Sequence, residues 1–138
     1  WGQLDYLLVD LPPGTSDAPM TVLQSLPVDG IVIVSSPQML ATMIVMKCIN
    51  MVQQLKGVIV GVVENMSYFE TPTNERYEIF GPSNGTELVT MTGAPLLGQL
   101  PIDSSLALLC DAGRVEEYYA DAYEALASNF VSTLKIKR

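Results

Sequence analysis

Asp10 closes the apolar run Tyr6-Leu7-Leu8-Val9 and opens the stretch Asp10-Leu-Pro-Pro-Gly-Thr-Ser-Asp17. A carboxylate in such a place suits a hydrated magnesium ion, because Mg²⁺ keeps most of its waters and takes one or two acid groups alongside nucleotide phosphates. Asp10 would hold the ion through water. Gly14 follows two rigid prolines and has no Cβ, so its N–H can come close to a terminal phosphate. Thr15 and Asp17 can bind or orient water at the same edge. The same residues also suit a plain turn, with Asp10 as a strand-end cap.

The chemistry requires particular elements beneath it. Leu4 to Val9 reads as a buried parallel strand, closed by an acid and two prolines that cannot extend a sheet. Asp10 is then at the carboxyl end of a strand, where open α/β sheets bind their ligands. Val58 to Val63 reads as another strand of that sheet, ending at Glu64-Asn65. An amide at this edge offers a donor and an acceptor, which fits the edge of adenine. A turn or cap asparagine is the alternative reading of Asn65.

The remaining elements alternate. Pro19 to Leu26 is a short helix and Gly30 to Ser35 a β-branched strand buried on both faces. Ser36 as N-cap and Pro37 at the first helical position open a helix to about Leu55. Its Met39, Met43, Met46 and Met51 fall at helical spacing, which predicts packing against the sheet. Met66 to Ile79 reads as one long irregular connection. Ser83 or Asn84 caps a helix to Thr92, which Gly93 stops; Leu96 to Leu100 is a short strand; Asp103 caps a helix ending near Gly113. Glu116 to Leu134 is an amphipathic helix, with Tyr119, Tyr123, Leu126, Phe130 and Leu134 on one face. The order predicts an α/β fold, a doubly wound and mostly parallel sheet with helices on both faces.

Four ordered motifs carry a resemblance: Asp10-Leu-Pro-Pro-Gly-Thr-Ser-Asp17, Val34-Ser35-Ser36-Pro37-Gln38, Val63-Glu64-Asn65-Met66-Ser67-Tyr68-Phe69, and Pro95-Leu96-Leu97-Gly98-Gln99-Leu100-Pro101-Ile102-Asp103. The first resembles the Walker B and switch II segment of Mrp/ApbC-type ATPases, deviant-Walker relatives of MinD and ParA regarded as iron–sulfur cluster carriers. The resemblance covers nearly the whole chain. It implies a P-loop NTPase binding ATP and magnesium, with Asp10 in the metal shell, Gly14 sensing the γ-phosphate and Asp17 beside them. It also implies an adenine pocket formed by Asn65, with Pro101 and Asp103 as its second wall. A cytoplasmic homodimer delivering clusters to iron–sulfur apo-proteins follows by the same resemblance.

Two departures qualify what the resemblance implies. Family members begin with a strand and a lysine-bearing glycine-rich loop, and residues 1–138 contain no such loop. The chain therefore reads as the carboxyl-terminal half of one P-loop NTPase domain, from Walker B onward, and is expected to be nearly inactive alone. Second, Thr71-Pro72-Thr73-Asn74 stands where many relatives carry Cys-Pro-x-Cys, and neither Thr nor Asn supplies the thiolates that clusters use. A bound iron–sulfur cluster is therefore doubtful, and a nucleotide-switched binding protein or degenerate paralogue is the alternative.

Composition narrows the remaining classes. With 49% hydrophobic and 16% charged residues, the 138-residue chain can form one real core. A net charge of −8 leaves no basic surface for nucleic-acid phosphates. No apolar stretch reaches the ~18–20 residues of a membrane span, and no signal peptide is visible. Lys135, Lys137 and Arg138 complement a helix dipole rather than anchor to a membrane. Cys48 and Cys110, far apart in a chain without histidine, exclude a zinc site of ordinary spacing. Each reads as a small buried hydrophobe in a reducing compartment.

Overall fold

The β-branched runs become a parallel sheet. In the computed structural model, which describes residues 2–136, helix α1 (Asp17–Ser25) precedes β1 (Ile31–Ser35), and α2 (Met39–Gln54) leads to β2 (Ile59–Glu70). A two-residue β3 (Arg76–Tyr77), α3 (Gly85–Thr92), β4 (Leu96–Pro101) and α4 (Ser104–Asp111) follow, and a 3₁₀ turn over Val115–Glu117 precedes α5 (Asp121–Ile136). Strand β2 is central: it pairs in parallel with β1 on one side and β4 on the other, and its far end pairs antiparallel with β3. Both crossover helices lie on one face, as strands added in one direction with constant handedness require.

Alternate residues of β2 feed two cores. Val62 packs with Ile33, Ile49 of α2 and Leu88 of α3, whereas Val63 on the opposite face packs with Leu97, Leu100 and, from α5, Leu126 and Phe130. Period-two alternation is what allows one strand to serve both layers. Val62 and Leu88 are fully buried, each contributing about 1.5–3 kcal/mol of transfer free energy. The Asn129 amide donates to the Leu97 carbonyl at 2.8 Å and pins α5 to β4. The α/β architecture with helices on both faces is therefore as the sequence predicts.

Several expectations fail, each for a physical reason. Leu4 to Val9 is not a strand: Leu4, Leu7, Leu8 and Val9 are 50–78% exposed, and Tyr6 instead rests its ring 6.1 Å from Phe130 of α5. An apolar run forms a strand only beside another backbone, and the described residues place no neighbour there. Asp10 accordingly does not end a strand. The same open edge leaves Val34 of β1 55% exposed, so that strand is not buried on both faces.

Helix α2 starts at Met39 with Gln38 as N-cap, so Ser36 and Pro37 precede the helix rather than open it. Its sheet-facing residues are Thr42, Ile49 and Val52, while Met39, Met43 and Met46 face outward, against the packing expected of them. Residues Met66 to Ile79 are not irregular throughout. β2 continues to Glu70 and turns through Thr71–Glu75 into β3, a hairpin in which the Thr71 N–H donates to the Glu75 carbonyl at 2.9 Å. Helix α5 begins at Asp121, leaving Tyr119 72% exposed ahead of it. Lys137 and Arg138, and the side chain of Lys135, lie outside the described residues. No helix among the described residues is long and apolar enough to cross a membrane.

Candidate functional site

The candidate site begins where parallel pairing stops. β1 pairs with β2 as far as Ser35 opposite Glu64, and the β2–β4 register shifts between Glu64 and Tyr68. Within that shift Met66 has φ 55°, a left-handed conformation that a non-glycine residue adopts only when its surroundings hold it. The Asn65 side-chain oxygen accepts the Met66 N–H at 2.9 Å. Among the described residues its amide group makes no hydrogen bond.

A cavity of about 270 Å³ lies at this edge, lined by Pro13, Val34, Ser35, Ser36, Ile44, Asn65 and Met66. The fold thus joins the acidic loop to Asn65, two sequence-predicted features 52 positions apart (65 − 13). Asp10 is exposed and is not on this lining, and Asp17 is the first residue of α1. Gly14 has φ 89°, and a Cβ there would meet nothing within 4 Å, so glycine is required by backbone conformation rather than by space. A second cavity of about 280 Å³, lined by Leu26, Val28, Ile31 and Val58, opens at the opposite ends of β1 and β2.

Pro101 and Asp103 are not on the lining of the Asn65 cavity. Pro101 pairs with Tyr68, and Ile102 donates to the Tyr68 carbonyl at 2.7 Å. Asp103 is the N-cap of α4: one carboxylate oxygen accepts the Ser105 N–H and hydroxyl at 2.7 Å each, and the other accepts the Tyr118 hydroxyl at 2.7 Å. The bonds from Ser105 and Tyr118 hold this carboxyl below the usual range. Burial and the Asp103 carboxylate in turn push the Tyr118 hydroxyl well above its ordinary value.

Sequence reasoning missed Glu64. Its side chain is fully buried, and one oxygen accepts the Ser83 hydroxyl at 3.0 Å and the Asn84 N–H at 2.7 Å. The other accepts the Gln99 amide at 2.8 Å and a short bond from the Ser67 hydroxyl. Burial alone raises a carboxyl pKa, but the bonds from Ser67, Gln99, Ser83 and Asn84 together hold this one below the ordinary value. Asn84 extends the network by donating to the Ser36 carbonyl at 3.2 Å and to the Thr42 hydroxyl, while its own oxygen is buried without a partner among the described residues. The available signal was an acid ending the buried run Ile59-Val-Gly-Val-Val, where only a paired charge survives.

The segment that stands where many relatives carry Cys-Pro-x-Cys is the tip of the β2–β3 hairpin. Thr71 and Thr73 bring their hydroxyls to 2.9 Å at the hairpin tip, and Asn74 takes φ 62° to close the turn. Hydroxyls and an amide do not fit an iron–sulfur cluster, which takes thiolates. Cys48 is half-buried in α2, where burial raises its thiol pKa, but Cys110 is exposed on α4, contrary to the burial expected from its apolar neighbours. Among the described residues no group of three or more Cys, Asp or Glu converges as a metal site.

Comparison with known proteins adds an independent line. Residues 1–135 match the ParA-type family described as NUBPL iron-transfer P-loop NTPase. An iron–sulfur cluster carrier protein of Clostridium perfringens is 42% identical over 121 residues, 88% of this chain and 43% of that protein. A nucleotide-binding protein of Archaeoglobus fulgidus, solved in complex with ADP, superposes with a TM-score of 0.77 at 50% identity, covering 90% of this chain and 51% of that one. The MinD cell division protein of Aquifex aeolicus, 18% identical, shares the fold with a TM-score of 0.66 over 97% of this chain and 55% of its own. The chain spans about half the length of the relatives it matches.

Proposed function

Because this chain belongs to the NUBPL iron-transfer P-loop NTPase family, we propose that it is the carboxyl-terminal part of one Mg-ATP-binding domain, from the Walker B segment onward. The intact protein is a cytoplasmic homodimer that hydrolyses ATP and delivers iron–sulfur clusters to apo-proteins. The observation that carries the nucleotide reading is the shared cavity of Pro13 and Asn65 at the carboxyl ends of the strands. The ADP complex of the Archaeoglobus relative supports it.

The chain's own residues divide the work. Asp10, exposed at the start of the loop, would hold a magnesium ion through water, and the bound ion would neutralise charge on the phosphates. Gly14, in a conformation reserved for glycine, offers its N–H to the γ-phosphate, and Asp17 orients water beside it. Asn65 has its oxygen engaged by Met66 and donates through its amide to a ring nitrogen of adenine. Pro101 and Asp103, which lie off the lining of the Asn65 cavity, enter only as the second wall that the family resemblance implies. Phosphoryl transfer depends mainly on positioned charge, so without the lysine-bearing loop these residues do not turn ATP over.

The cluster is cargo, and Thr71–Asn74 cannot hold it. A second reading follows from that observation: a nucleotide-switched binding protein or degenerate paralogue whose cargo is not a cluster. Asp10→Asn in the protein that includes the phosphate loop tests the nucleotide reading. Magnesium-dependent ATP turnover falls at least tenfold, about 1.4 kcal/mol of transition-state stabilisation. Turnover within twofold of wild type removes Asp10 from the site.

A further inference from the structure

Glu64 is a fully buried acid that the nucleotide chemistry does not use, and its four bonds reach β4, the segment leading into α3, and its own strand. All four donors are neutral, and no Lys or Arg pairs with it among the described residues. A buried carboxylate is costly, so a structural role alone could be filled by an apolar side chain of similar volume. What an apolar residue could not do is close the bulge. The bond from the Ser67 hydroxyl spans Glu64 to Ser67, and the two residues between them are Asn65 and left-handed Met66.

We propose that Glu64 is the positioning residue of the adenine pocket, its carboxylate clamping the Glu64–Ser67 bulge so that Asn65 faces the cavity and base selectivity results. The inference rests on the reading of Asn65 as an adenine ligand. Three observations converge on it. The parallel register with β1 ends at Ser35 opposite Glu64, so Met66 lies beyond that pairing. The Asn65 oxygen is committed to Met66, so the direction of its amide follows the backbone at 65–66. Finally, the Asn84 N–H bonded to Glu64 belongs to the residue whose side chain holds the Ser36 carbonyl, so one network sets both walls of the cavity mouth.

Glu64→Gln keeps volume and two acceptor sites but turns an NH₂ group toward the donors that faced the other oxygen. Calorimetry on the full-length protein with ADP, GDP and inorganic pyrophosphate, each with magnesium, reads the consequence. ADP affinity falls at least tenfold, ADP-over-GDP preference falls by a similar factor, and pyrophosphate binding stays within twofold, because only the base side is displaced. ADP affinity and preference unchanged in folded Glu64→Gln overturn the proposal, as does pyrophosphate affinity falling in step with ADP. Should Glu64→Gln melt too early to assay, Ser67→Ala removes the clamp while leaving the other three bonds, and the same outcomes apply. Asn65→Ala separates the two layers. If it leaves ADP binding unchanged, the adenine reading itself fails; if it weakens ADP while Glu64→Gln and Ser67→Ala do not, only the positioning role fails.

Discussion

Asp103→Ala distinguishes a structural from a nucleotide-binding role for a residue that family resemblance puts in the adenine wall. The carboxylate caps α4 through the Ser105 N–H and takes the Tyr118 hydroxyl on its other oxygen, both at 2.7 Å. Loss of an N-cap costs about 1 kcal/mol. A hydrogen bond to a charged acceptor is worth about 1.5 kcal/mol in a dry site, and about half that here, since the half-exposed Tyr118 hydroxyl can turn to water. The expected total is roughly 1.5–2 kcal/mol, or about 6 °C in melting temperature for a domain of this size. Urea unfolding should show a lower midpoint at unchanged slope. Asp103→Asn, an equally good N-cap, should recover more than half of the loss.

The pH dependence has a fixed sign. Because the folded carboxyl is held below its ordinary value by Ser105 and Tyr118, the advantage of wild type over Asp103→Asn is present above about pH 4 and is lost as pH falls through the folded value. A loss under 0.5 kcal/mol for Asp103→Ala, with no pH-dependent difference from Asn, would refute this reasoning. ADP affinity lost without stability would return Asp103 to the nucleotide site.

Gly61→Ala should destabilise by about 2–3 kcal/mol, because its Cβ would lie 2.3 Å from Cγ of buried Leu97; a denaturation midpoint equal to wild type would mean that Leu97 has room to move. The 138-residue chain alone should bind ATP weakly or not at all, and calorimetry giving a micromolar, magnesium-dependent Kd would contradict the need for a separate phosphate loop. Anaerobic reconstitution of the full-length protein should yield no cluster dependent on Cys48 or Cys110; stoichiometric iron and sulfide lost in Cys48→Ser/Cys110→Ser would show that these two hold it.

Local chemistry made much of the fold legible. The run Ile31-Val-Ile-Val could only be a strand, Asp103 and Gly93 marked a helix start and a helix stop, and the alternation of elements determined a parallel sheet with helices on both faces. The site residues were legible as types, an acid before a Pro-Pro-Gly turn and an asparagine following a β-branched run. Their meeting at one cavity was not, because residues 13 and 65 are far apart in sequence and only tertiary packing brings them together. Strand formation at Leu4–Val9 was misjudged because apolar composition determines what a segment buries, whereas a strand also needs a neighbouring backbone, and that is a tertiary property. The methionine face of α2 was misjudged similarly: helical spacing says which residues share a side, and only packing says which side meets the sheet. Glu64 shows the same division, since an acid at the end of a buried strand announces that it has partners, but Ser67, Ser83, Asn84 and Gln99 become those partners only once β2, β4 and the approach to α3 converge.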